Sequence, residues 1–118
     1  TNVSLSAVTG VLQVPMGFIA DNEHAWAITR QLIHEAVAVA HGLGLEADEE
    51  EITEKVRQTS LGSPEGITSI CADLRDGRKT EVNTISGSVV RASEKCGVPA
   101  PTHRMIVELV HAMEERKS

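Results

Sequence analysis

The tightest constraint on this chain is one hydrophobic period that no other period interrupts. Val82, Ile85, Val89, Ala92 and Cys96 recur at spacings of three and four, which puts them on one face of an α-helix. Ile67, Ile70, Cys71 and Leu74 repeat the spacing, and so do Ile106, Leu109, Val110 and Met113. No stretch alternates apolar and polar residues as a half-buried strand requires. The periodic stretches are separated by Val14-Pro15-Met16-Gly17, Gly42 and Gly44, Leu61-Gly62-Ser63-Pro64, Asp76-Gly77 and Gly97-Val98-Pro99. Proline removes a backbone donor and glycine frees the chain, so these segments end helices. The expected fold is all-α, a bundle of about six helices.

A chain of 118 residues is one domain by length and can bury somewhat over ~60% of its unfolded surface. The net charge is -6, with one Trp, one Phe and no Tyr. Nucleic-acid binders carry a basic stripe or stacking aromatics, so no nucleic-acid partner is expected. No apolar run approaches the ~20 residues of a membrane span, so no membrane partner is expected either. Cys71 and Cys96 fit no metal or redox spacing and read as buried thiols in a reducing cytoplasm. The five histidines are scattered without an H-E-x-x-H pattern, and no metal site is expected. The chain begins at Thr1, already inside helix-like sequence, which reads as a piece of something longer.

In the first helix Asn2, Ser6, Thr9 and Gln13 form a narrow polar stripe, while Val3, Ala7, Val8, Val11 and Leu12 cover much of the rest. Such a stripe is either the solvent side of a surface helix or a cleft wall offering hydrogen bonds to a ligand. Asp21 or Asn22 caps the next helix, which runs to about His41. Its apolar residues, Trp26 and Leu32 among them, span half the circumference, as expected of a helix with several neighbours or a place in an interface. His24, Gln31, His34, Glu35 and His41 fill its polar side. Asp48 caps an acidic helix, with Glu51 placed for a capping box. Ser63 and Pro64 read as N-cap and first residue of the following helix, on which Ser69 points away from the buried stripe. Thr80 caps the next helix, with Glu81 as a first-turn carboxylate opposite the Val82 stripe. Gly87, in mid-helix, reads as a close crossing. The last helix is expected over residues 102–116.

One stretch is more specific than the rest. Within "GITSICADLRDGRKTEVNTISG" stand Ser69, Asp73-Leu74-Arg75 and Arg78-x-Thr80-Glu81, followed later by Gly97-Val98-Pro99. In order and spacing this resembles the signature of the C-terminal helical domain of ketopantoate reductases (2-dehydropantoate 2-reductases). That domain has the architecture of 6-phosphogluconate dehydrogenase-like enzymes. The resemblance covers nearly the whole chain, and the opening "NVSLSAVTGVLQVPMG" fits the domain's first long helix.

The resemblance implies that residues 1–118 form a substrate-binding and dimerisation domain, with an N-terminal Rossmann domain outside this chain. The parent would be a cytoplasmic, homodimeric enzyme that uses NADP to reduce ketopantoate to (R)-pantoate, in pantothenate and coenzyme A synthesis. By resemblance Asn2, Ser6 and Ser69 bind substrate, Ser69 at its carboxylate, and Glu81 contacts the NADP ribose. The family's general-acid lysine would stand four residues before Asn2, outside this chain. This chain therefore holds no catalytic residue, and alone it is expected to be inactive. Ser6 stands where many members have an asparagine, and Met16 where some have another. These departures leave two other readings open: a helical interaction module that keeps the fold without binding substrate, and a sister 2-oxo-acid reductase.

Overall fold

A computed structural model describes residues 3–80 and 86–115. Among the described residues it contains seven helices and no strand. The architecture is therefore the expected all-α bundle, with one helix more than the sequence period revealed.

The first helix, α1 (Val3–Leu12), is buried on nearly every side. It packs against α3 (Glu23–Gly42), α5 (Ser69–Arg75) and α7 (Pro101–Glu115), so Leu5, Ala7, Val8 and Thr9 are almost fully covered. Thr9, expected on a polar stripe, instead lies inside. Its hydroxyl donates to the Leu5 carbonyl at 2.6 Å and lies 2.7 Å from the Thr68 hydroxyl. A hydroxyl is tolerated in a core when its hydrogen bonds are met there.

The unforeseen element is α2 (Met16–Asp21). Pro15 stands at its N-cap in extended conformation. The first N–H groups of α2 lack helical partners. They find them in the distant loop before α5: Met16 N–H donates to Gly66 O at 2.9 Å, and Gly17 N–H to Pro64 O at 3.0 Å. Helix α4 (Glu49–Gly62) adds the Ser60 hydroxyl, which donates to Met16 O at 2.6 Å.

Asn22 caps α3, its side chain accepting from the His24 and Ala25 N–H groups. The broad apolar face of α3 is covered within the chain by α1, α2, α4, α6 (Ser86–Cys96) and α7, except at Ile28, which is exposed. Glu35 corrects the expectation of a solvated polar side: it is only 3% exposed. Its carboxylate accepts from the Thr102 N–H at 2.9 Å and the His103 N–H at 3.1 Å. It caps α7 from another helix, a place that suits a negative charge. His103 is fully buried beside it, with Nε2 2.7 Å from Leu32 O and Nδ1 without a partner.

Several boundaries differ from the sequence reading. Asp48 caps α4 as expected, but Glu51 pairs with Lys55 at 3.0 Å and makes no capping box. Ser63 and Pro64 do not start α5; its N-cap is Thr68, whose side chain accepts from Cys71 N–H. The carbonyls of Pro64 and Gly66 are bound by α2, which holds this segment out of a helix. Ile67 lies in that loop and, like Leu109, is exposed rather than inward. Cys71 is buried, whereas Cys96 is only partly so. Gly97, with φ +75°, ends α6 in a conformation other residues avoid. Val82, Ile85 and the capping role of Thr80 fall on or next to residues outside the described ones.

Candidate functional site

Ser69 is the first residue of α5 and Ser6 lies in the middle of α1. Both line one hollow of about 310 Å³, together with Leu5, Met16, Thr59 and Thr68. Its volume is at the lower end of what small-ligand sites occupy.

The approach of α1 to α5 makes this hollow. Gly10 permits it, because a Cβ there would meet Ile70 Cγ2 at 2.5 Å. Beside that contact the Thr9 and Thr68 hydroxyls join the two segments. At the end of α1, Gln13 adopts a left-handed φ of 57°. Its side-chain amide donates to Gly10 O at 2.8 Å and Cys71 O at 3.3 Å. Three ties thus fix where Ser6 stands relative to Ser69.

Four hydroxyls line the hollow, but two are committed elsewhere. Thr59 donates to Lys55 O at 2.9 Å. Thr68 is shared between Thr9 and the Cys71 N–H. No hydrogen bond to a described residue engages the Ser6 or Ser69 hydroxyl. A ligand in the hollow therefore meets two unspent donor-acceptors on adjacent helices, which suits the oxygens of a small acid. The described lining carries no charge, so any cation facing such an acid comes from outside it. Among the described residues no base reaches Ser6 or Ser69, so none of them activates a serine as a nucleophile. Cys71 is no better placed: burial pushes its thiol pKa up against the pull of Arg75, and its sulfur faces Val14 O.

Asn2 and Glu81 lie outside the described residues. The residue before Glu81 is held firmly, however. Thr80 donates through its N–H at 2.6 Å and its hydroxyl at 2.8 Å to the Glu114 carboxylate. Burial raises the Glu114 pKa, but the bonds from Thr80 and His111 outweigh it and leave the pKa below the usual value. Sequence reasoning missed Gly10, Thr68 and Glu114 as supports of this region. Only Thr68, a threonine just before a periodic stretch, carried a legible cap signal.

Two larger hollows lie elsewhere, one of about 370 Å³ beside Arg30, His34 and Glu49, the other of about 460 Å³ beside Pro99, Arg104 and Met105. In the first, His34 is joined to Glu49 at 2.8 Å; in the second, Arg104 is joined to Glu94 at 3.0 Å. Neither gathers uncommitted groups from two helices as the Ser6–Ser69 hollow does. Among the described residues no group of His, Cys, Asp or Glu could hold a metal ion, and no helix is long and apolar enough to cross a membrane. With no strand there is also no strand–glycine loop–helix unit, so the described residues do not by themselves fit a dinucleotide.

Comparison with known proteins agrees with the helical fold. Residues 1–114 match the family model described as the C-terminal domain of ketopantoate reductase PanE/ApbA. A 2-dehydropantoate 2-reductase of Streptococcus pyogenes serotype M3 is 36% identical over 114 residues, which are 96% of this chain and 37% of that protein. Among solved structures, a PanE/ApbA family ketopantoate reductase from Ralstonia eutropha JMP134 superposes with a TM-score of 0.87 at 27% identity, over 97% of this chain and 38% of that one. A D-mandelate dehydrogenase solved with NADH and anilino(oxo)acetate superposes with a TM-score of 0.86, also at 27% identity and over the same shares. The chain thus spans little more than a third of the length of the relatives it matches. On the match of its whole helical body, this chain belongs to the ketopantoate reductase PanE/ApbA family and carries that family's C-terminal domain.

Proposed function

We propose that residues 1–118 are the substrate-binding and dimerisation domain of a cytoplasmic, NADPH-dependent enzyme that reduces ketopantoate to (R)-pantoate for pantothenate and coenzyme A synthesis. The observation that carries this reading is the pair of unspent hydroxyls, Ser6 and Ser69, brought to one hollow from distant parts of the chain. The naming of the Streptococcus pyogenes relative as a 2-dehydropantoate 2-reductase supports the substrate. In this reading Asn2, Ser6 and Ser69 hold the acid, with Ser69 at its carboxylate. Glu81 meets the cofactor ribose, and the Glu114–Thr80 bonds steady the residue beside it. A lysine and a Rossmann domain outside this chain protonate the oxo group and hold the cofactor. The cofactor supplies the hydride. This chain's task is to orient the oxo acid and shield it from water. Exposed Met105 and Leu109 on α7 offer apolar surface for a second copy of the protein.

A second reading is a sister 2-oxo-acid reductase that prefers NADH. It is favoured by the D-mandelate dehydrogenase solved with NADH, which is as similar in sequence to this chain as the Ralstonia enzyme is. One assay separates the readings: the full-length protein with ketopantoate and each cofactor, repeated after Ser69→Ala. Ketopantoate should be reduced, with NADPH preferred. The loss of a hydrogen bond to a charged group, roughly 1.5–3 kcal/mol, should lower kcat/KM by about 10- to 100-fold. An unchanged efficiency removes Ser69 from the site. Failure to turn over any 2-oxo acid rejects both reductase readings and favours the interaction module.

A further inference from the structure

Not all of the hollow's lining is polar. Leu5, only 1% exposed, and the half-buried Met16 also line it. The polar atoms of the Met16 backbone are both spent, its N–H on Gly66 O and its carbonyl on the Ser60 hydroxyl. What Met16 has left to offer a ligand is its side chain, which also packs against the core. It lies over Gly66 so closely that a Cβ at Gly66 would meet Met16 Cε at 2.7 Å. The absent side chain at 66 is thus the space that Met16 fills. Thr59 and Thr68, the remaining polar neighbours, have their hydroxyls committed within the protein.

A 2-oxo acid placed here has one consistent orientation. Its carboxylate and oxo oxygens belong with Ser6 and Ser69, which leaves its side chain against Leu5 and Met16. We propose that Met16 is the specificity-determining residue of this site: its thioether receives the side chain of the acid. The site then selects 2-oxo acids with a bulky aliphatic side chain and does not read a hydroxyl on that side chain. This deepens, and rests on, the reading of the chain as an oxo-acid reductase domain. Met16 suits the role because an unbranched thioether adapts its shape to what it touches.

The consequence is quantitative. A site built to hydrogen-bond a substrate hydroxyl rejects the analogue lacking it by about ten-thousandfold or more, whereas an apolar wall separates the two by about a hundredfold at most. Ketopantoate and trimethylpyruvate differ only in that hydroxyl. The test measures kcat/KM for both acids with the full-length protein and its cofactor. The wild type should favour neither acid by more than about a hundredfold. Met16→Asn, which puts an amide in the wall, should move the ratio toward ketopantoate by about tenfold, and Met16→Leu should keep it within about threefold. A wild-type preference for ketopantoate near ten-thousandfold overturns the proposal while leaving the reductase reading intact. So does a ratio that Met16→Asn leaves unmoved. Turnover of neither acid ends the reductase reading and this proposal with it. If Met16→Asn does not fold, methyl-labelled methionine spectra of the full-length protein decide. The signal that Met16→Leu removes should shift when trimethylpyruvate is added; a signal that stays in place overturns the proposal.

Discussion

Glu35 shares a helix with the exposed His34 and Gln31, yet its carboxylate is buried because the first N–H groups of α7 point at it. Burial raises its pKa, but hydrogen bonds from Thr102, Gln31 and His103 outweigh burial and leave it below the usual 4.5. Its neighbour His103 is pushed below the usual 6.5 by burial, against the pull of Leu32 O and the Glu35 charge. Both groups bind protons more readily in the unfolded chain, so stability rises with pH. The His103 contribution should erode as pH falls below 6.5, and the Glu35 contribution as pH falls from about 4.5 through its lowered pKa. Urea midpoints across pH check this, and a midpoint that stays flat from 6.5 to 4.5 would contradict the His103 assignment. Glu35→Ala should cost about 2 kcal/mol at neutral pH, since it strips a helix end of its cap. None of this was legible in the sequence. Glu35 falls on the polar side of its own helix, and the donors that justify burying it lie 67 positions further on. Thr9 is the same case, its partner Thr68 being 59 positions away.

Periodicity located long elements well and short ones badly. The Asn22 and Asp48 caps, the Gly97 stop and the extents of α3 and α7 follow from local side-chain chemistry. Helix α2 spans six residues, too few to display a period, and its first turn is held by the Pro64–Gly66 loop. That same loop explains the false start at Ser63, because its carbonyls are taken by another element. The seam between α1 and α5 carries the largest functional consequence. Gly10→Ala forces a methyl group into the Ile70 side chain, and overpacking of this kind costs about 1–3 kcal/mol. The variant should melt at a lower temperature and lose kcat/KM as Ser6 and Ser69 move apart. Wild-type stability and activity in Gly10→Ala would mean that the seam is looser than drawn.

Across the whole molecule, the all-α architecture could be read from one period and its breaks. The serines could be singled out only through a resemblance, since an exposed helical serine is otherwise unremarkable. The resemblance already put Ser6 and Ser69 at one ligand, and both line one hollow; what neither route supplied is how they are brought there while its two threonines are committed elsewhere. That depends on a glycine, one contact between two hydroxyls and a glutamine amide, each joining segments remote in sequence. A double-mutant cycle on the full-length protein tests it most directly: kcat/KM for ketopantoate with Ser6→Ala, Ser69→Ala and both together. If the two hydroxyls grip one acid, each single change lowers kcat/KM and the two losses fail to add by about 0.5 kcal/mol or more. Losses that simply add, or single changes that leave kcat/KM untouched, would contradict a shared site.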